Sequence, residues 1–444
     1  MLTTALSLQA TGTKYALVAV FVACSAFGGW TALGSTKTTG LGALIEAVGA
    51  GERAAFPGGP EPFKRVWSGL APVDGMLNMM VGFFSAIIDG TAVDGRETED
   101  WNSLLFYAWG MAQFVAGWSM LLLESLRVGN RGRLVSYVGL AGMLFQTGTW
   151  TVFCPLYLAL HLLTSPVASL PRGDGPRARR VLFVLLWDMA LLPAVVTLTD
   201  TLPAIIMSAP ASLGLATSAS AHYKAIAFWQ FFPLWSVCLM AFLNPLCAFL
   251  FGSLLPVDPA GRPAPLGRGY LTGVSGVYQF ALTVCVGAHA PILLASLAPA
   301  ALRAQLAAQL PAAYARLLET ASFAGVFVPA SPLHPPTVAV DGARAAAAHF
   351  LRYDMLVGAV PFLLWAAYLH QTTAKAPLGV LQLVRKVAFW ALVGGAYAPA
   401  VALLWERDAV VLEADEPLKV AAAAVASTTV TNTKKTKTEG KKGQ

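Results

Sequence analysis

The chain has 444 residues, of which 56% are hydrophobic and only 12% charged, and its mean hydropathy of +0.62 excludes an ordinary soluble domain. Its formal net charge of +7 does not argue for a nucleic-acid partner, because the last eleven residues, KKTKTEGKKGQ, hold five lysines and one glutamate. The five cysteines (Cys24, Cys154, Cys238, Cys247 and Cys285) lie in apolar runs without CxxC spacing, which points to neither a zinc site nor a disulfide framework.

Apolar residues gather in runs of about twenty, the length that crosses roughly 30 Å of hydrocarbon as a helix. Barrel strands would be shorter and would alternate apolar with polar, and these do not. The expected fold is all-α, a polytopic membrane bundle of eight or nine transmembrane helices over residues 1–404. An amphipathic surface insert is expected at about 298–348, and a disordered basic cytosolic tail at 405–444.

In chain order, residues 15–33 read as a retained first helix, since no A-x-A cleavage site follows them. The Gly/Pro-rich stretch 35–68 reads as a surface loop. Run 69–88 carries Asp74 and Asp89 near its ends, each followed by glycine, where turn and cap chemistry competes with a role at a cavity mouth. Run 101–126 closes on Glu124, spaced i, i+3 from Arg127 for a salt bridge. Run 134–163 is long enough to tilt and carries Gln146, Pro155, Tyr157 and His161.

Run 181–207, VLFVLLWDMALLPAVVTLTDTLPAIIM, is the most informative. A helix entering at Val181 puts Asp188 roughly 10 Å inside the span. At that depth an Asp costs about 2.5 to 3.5 kcal/mol and calls for a neighbouring polar group, a cavity or a substrate. Asp200 lies about 18 Å further along the axis, too far for a close pair with Asp188. Run 225–255 follows with Trp229, Phe231, Phe232, Trp235 and Asn244-Pro245, then run 270–297 with Tyr278 and His289. The last runs are 352–369, which opens RYDML, and 387–404. The ending Lys441-Lys442-Gly443-Gln444 resembles a dilysine retrieval signal, which would put the tail in the cytosol and the protein in the endoplasmic-reticulum membrane.

P-loop, HExxH, G-x-S-x-G, dinucleotide and DDxxD motifs are all absent, so no cofactor and no metal are expected. What remains is Asp74, Glu124, Asp188, Asp200 and Asp354 near membrane depth, with 23 Phe, 12 Trp and 11 Tyr. A carboxylic acid sheltered from water can stay protonated near neutral pH and hand its proton to an epoxide or alkene. Aromatic faces then hold the carbocation, at about 2 kcal/mol or more for each desolvated contact. A dry cavity keeps water from quenching it.

The segments VDGMLNMMVGFFSAIIDG (73–90), LLLESLRVGNRGR (121–133), PLYLALHLLTSP (155–166) and WQFFPLW (229–235) are similar, in the same order, to the fungal membrane-bound terpene cyclases of ascochlorin and ascofuranone biosynthesis. The resemblance implies an enzyme that protonates a terminal epoxide on a farnesyl chain and closes rings without metal. The Glu of LLLESLR, Glu124, is the residue it carries over. The physical argument adds Asp188, with Asp74 and Asp200 as further acids. Trp187, Trp229, Phe232, Tyr278, Gln146 and Asn244 are expected around an apolar isoprenoid or meroterpenoid substrate in the lipid bilayer. The alternative is an exporter of a small apolar metabolite, proton-coupled through the same acids, with helices interrupted at Pro193 and Asn244-Pro245. A scaffold without a pocket is the third reading.

Overall fold

Apolar runs long enough to cross a bilayer satisfy their backbone groups internally only as helices, and helices dominate the computed structural model. It describes residues 2–90, 92–93, 96–97, 100–170, 175–208, 218–251, 268–374 and 377–413. Among these, seven helical stretches are long and apolar enough to cross a membrane: Gly12–Thr38, Ala71–Asp89, Trp101–Ser125, Leu186–Ser208, Phe232–Phe251, Leu271–Leu297 and Ala343–Thr373. Ala92–Val93 pairs with Arg96–Glu97 in a short antiparallel ribbon. The Trp101–Ser125 helix is central: every residue from Val115 to Ser125 is buried, as expected of a helix apolar on all sides.

Several boundaries differ from the sequence reading, each for a local reason. Stretch 35–68 is not all loop, because Leu41–Ala50 forms a helix between Gly40 and Gly51 that buries Leu41, Leu44 and Val48. That spacing is one helical face, laid against Ala71–Asp89. Helix Leu186–Val196 begins five residues later than the run at Val181, because tertiary bonds occupy the chain before it. Arg127 Nη1 donates to the Leu182 carbonyl at 2.6 Å and Val128 N–H to the Phe183 carbonyl at 2.8 Å. Asp188 therefore stands in the first turn of its helix rather than mid-span.

The alanines at the end of the expected 298–348 insert belong to the long Ala343–Thr373 helix, and shorter helices such as Ala300–Ala307 and Ala312–Thr320 precede it. Run 387–404 is divided at Gly395, whose φ is +85°, into Val380–Gly394 and Ala398–Glu413. The second of these helices passes the expected start of the tail at 405 and buries Arg407 and Asp408. The rest of the tail, 414–444, with its dilysine ending, lies outside the described residues. The interruptions expected of an exporter are absent, since helices run through both Pro193 and Pro245.

The break that positions the site falls in run 134–163. Helix Val138–Gly148 stops, Thr149 turns at φ +75° and ψ +146°, and helix Trp150–Thr164 starts at the next residue. A Cβ on Gly148 would fall 2.1 Å from the Phe153 ring, so only glycine allows this close approach.

Candidate active site

Helix Trp150–Thr164 begins with exposed donors and no cap from its own Thr149 side chain. The cap comes from another helix: Asp354 Oδ1 accepts the Thr151 N–H at 2.8 Å. Asp354 sits eleven residues into Ala343–Thr373, about 16 Å along the axis, so its carboxylate meets the positive end of a second helix deep in the bundle. Thr149 completes the junction in a backbone region otherwise kept almost entirely for glycine.

Asp354 borders a cavity of about 560 Å³. At its outer end are Leu33 and Met79, 41% and 45% exposed, with Glu46 beside them. At its inner end are Trp150, Trp229, Gln230 and Asp354, all buried. Asp354 is the buried carboxylate among the lining residues, whereas Glu46 is exposed. The wall between is a chain of rings, with centroids 4.9 Å from Phe84 to Trp229, 6.3 Å from Trp229 to Phe114, 4.8 Å from Phe114 to Trp150 and 5.2 Å from Trp150 to Phe145. Trp150 is pinned by its indole N–H, which donates to the Tyr397 hydroxyl at 2.6 Å. Such a chamber offers π-faces along an apolar guest and a carboxyl group at one end.

Of the expected residues, Trp229 and Gln146 line this chamber. Asp200 stands behind the wall: Trp229 Nε1 donates to its Oδ1 at 2.8 Å, and its Oδ2 has no partner although the residue is fully buried. It falls in a π-helical turn, Thr197–Thr201, a local widening often found at functional positions. Phe232 lies outside the lining and stacks on Trp229 at 5.3 Å.

The other expected residues are elsewhere. Glu124 is gripped by two guanidinium groups, Arg127 at 3.0 Å and Arg407 at 2.5 Å, and those cations also hold Asp408, which accepts from Tyr278 at 2.7 Å. Glu124 and Tyr278 thus belong to a buried ion network that ties four segments together, not to the chamber wall. Asp188 accepts from Asn244 and lies 3.9 Å from the half-exposed Arg131, so Asp188 and Asn244 answer each other. Trp187 packs near Phe251 at 6.1 Å, away from the lining. Asp74 caps the chain entering Ala71–Asp89, taking N–H groups from Trp67, Ser68 and Gly69.

Sequence reasoning passed over Asp354 and Gln230 as site residues. Asp354 looked like the start of a run, and the signal was the alanine stretch before it, which extends the helix by three turns. Among the described residues no group of three or more His, Cys, Asp or Glu side chains is placed to hold a metal ion.

These features define a predominantly helical bundle, with seven helical stretches long and apolar enough to cross a membrane, that keeps one buried carboxyl group against an aromatic chamber. The chain belongs to the CtvD domain family, which matches residues 15–412. It is similar to the terpene cyclase ascI of Acremonium egyptiacum, with 24% identity over 405 residues that cover 87% of this chain and 90% of the relative. It is also similar to the terpene cyclase ctvD of Aspergillus terreus (strain NIH 2624 / FGSC A1156), with 27% identity over 342 residues covering 76% and 83%. No solved structure matches the chain.

Proposed function

We propose that this protein is a membrane terpene cyclase in which Asp354 is the general acid and the guest is a farnesyl-derived or meroterpenoid epoxide. The observation that carries the reading is the buried carboxyl group facing a ring-lined cavity, and the terpene cyclase names of both relatives support it. The seven long helices cross the bilayer, and the broken pair Val138–Gly148 and Trp150–Thr164 together forms an eighth crossing.

Asp354 gives its proton to the epoxide oxygen, and the bond from that oxygen to the more substituted carbon breaks with its electrons going to oxygen. A hydroxyl and a tertiary cation result. The π electrons of the next alkene form the new carbon–carbon bond, while the faces of Trp229, Phe114 and Trp150 stabilise the travelling charge. Loss of a neighbouring proton to the Asp354 carboxylate restores the acid, so the net reaction is an isomerisation.

The test is a microsomal assay with a farnesylated phenol bearing a terminal epoxide. Asp354→Asn keeps an oxygen to accept the Thr151 N–H but has no proton to give, and kcat should fall by about 10²-fold or more. Undiminished turnover in that variant would remove Asp354 from the reaction.

A further inference from the structure

Gln230 is fully buried and lines the inner end of the chamber, yet neither its Nε2 nor its Oε1 has a hydrogen-bond partner in the protein. Gln146, which borders the same chamber from the last turn before the helix break, leaves its Nε2 equally unpartnered. Buried amide groups are nearly always satisfied, and leaving three such atoms bare around one chamber is costly unless an occupant completes them. An occupant that completes them brings an oxygen into the chamber that Asp354 also lines.

We propose that Gln230 and Gln146 are the substrate-binding residues that hold the reacting oxygen. The inference rests on the epoxide reading above. An epoxide oxygen only accepts hydrogen bonds, so before reaction one lone pair takes the Asp354 O–H that will be transferred, the other is shared by the Nε2–H groups of Gln230 and Gln146, and Gln230 Oε1 is left unused. Once the oxygen has received its proton it becomes a hydroxyl, which both accepts and donates, and Gln230 Oε1 gains its partner. Gln230 therefore binds the state after proton transfer better than the state before it, and an interaction of that kind lowers the barrier rather than only tightening the ground state. Gln146, which contributes a donor in both states, contributes chiefly to binding.

The two residues should accordingly separate in kinetics. Gln230→Leu keeps side-chain size, removes both polar atoms and lowers kcat by about tenfold, with a smaller rise in KM from the lost Nε2–H. Gln146→Leu raises KM instead. The decisive measurement is equilibrium binding to purified protein in nanodiscs, which needs no turnover. The ligands are three farnesylated phenols that differ only at the terminus: an epoxide, the corresponding alcohol and the plain alkene.

Wild-type protein should bind the alcohol about tenfold more tightly than the alkene, with the epoxide between. Gln230→Leu should bring alcohol and alkene within about twofold while holding alkene affinity and melting temperature at or above wild type. A wild type without the preference, or a Gln230→Leu protein that retains it or loses affinity for all three ligands alike, overturns the proposal. Asp354→Asn should keep the preference while losing turnover. If the preference vanishes with Gln230 but the epoxide is never cyclised, the cyclase reading fails and the oxygen site stands.

Discussion

Thr149 offers a test of the break that sets up the chamber. A β-branched residue at φ +75° and ψ +146° is under backbone strain of about 1–3 kcal/mol. Its hydroxyl faces the Asp354 carboxyl, so any replacement that lacks the hydroxyl forfeits that contact. Comparing Thr149→Gly with Thr149→Ala isolates the backbone, because both remove the same hydroxyl and methyl. Glycine relieves the strain and alanine does not, while glycine's freer unfolded chain gives back about 0.4–1 kcal/mol. Thr149→Gly should therefore be more stable than Thr149→Ala by roughly 1 kcal/mol, the reverse of the order in a helix interior, where alanine wins by about 1 kcal/mol. Denaturant unfolding in mixed micelles measures the difference, and a matched pair at the buried helical Thr151 supplies the normal order. If alanine equals or exceeds glycine at 149, the turn stores no strain and the break is not forced on the chain.

Other expectations follow from the placements. Glu124→Gln removes one of two acids facing two buried guanidiniums and should cost about 3–5 kcal/mol, seen as poor recovery of monodisperse protein, with near-normal kcat for each folded molecule. Asp188→Asn should leave microsomal kcat within about twofold of wild type, since neither Asp188 nor its partners Asn244 and Arg131 line the chamber; loss of turnover there would restore Asp188 as the acid. Trp229→Phe preserves a ring in the wall but strips Asp200 of its donor, costing about 1–3 kcal/mol in denaturant unfolding, and Asp200→Leu in the same background should recover much of it. Gly358→Ala places a Cβ 2.5 Å from the pinned Trp150 ring, so about 1–3 kcal/mol of overpacking should appear together with a fall in kcat as Asp354 shifts off its cap.

Hydropathy made the long apolar helices legible, because length and apolarity alone decide whether a segment can cross. Run 101–126 became Trp101–Ser125 with its end one residue away. What hydropathy does not encode is where tertiary contacts cut a run. The Phe183-Val184-Leu185 stretch is as apolar as the helix after it, yet the Arg127 loop claims the carbonyls just before, and Asp188 moves from the middle of a span to its first turn. The same limit hid Asp354. Its depth depends on Ala343–Ala348 joining the helix, which alanine's propensity permits and the break at Thr149 exploits, since that break supplies the N–H group the carboxylate caps. Gln230 was obscured among aromatics, because a single amide in an apolar run has no periodicity to betray it.

The two buried acid sites, at Glu124 and at Asp354, differ in how their carboxyl groups are held. At Glu124 two acids face two guanidiniums at 2.5–3.1 Å, and no carboxylate there can reach a guest without abandoning a cation in the core. Asp354 is held by a backbone N–H instead, which fixes its position without taking up a counterion, and it borders empty space lined with rings. A proton donor needs the second arrangement, because its charge must change during the reaction with no partner left behind. Within this fold, a carboxyl group capping a broken helix is suited to that change, whereas one locked between two arginines is not.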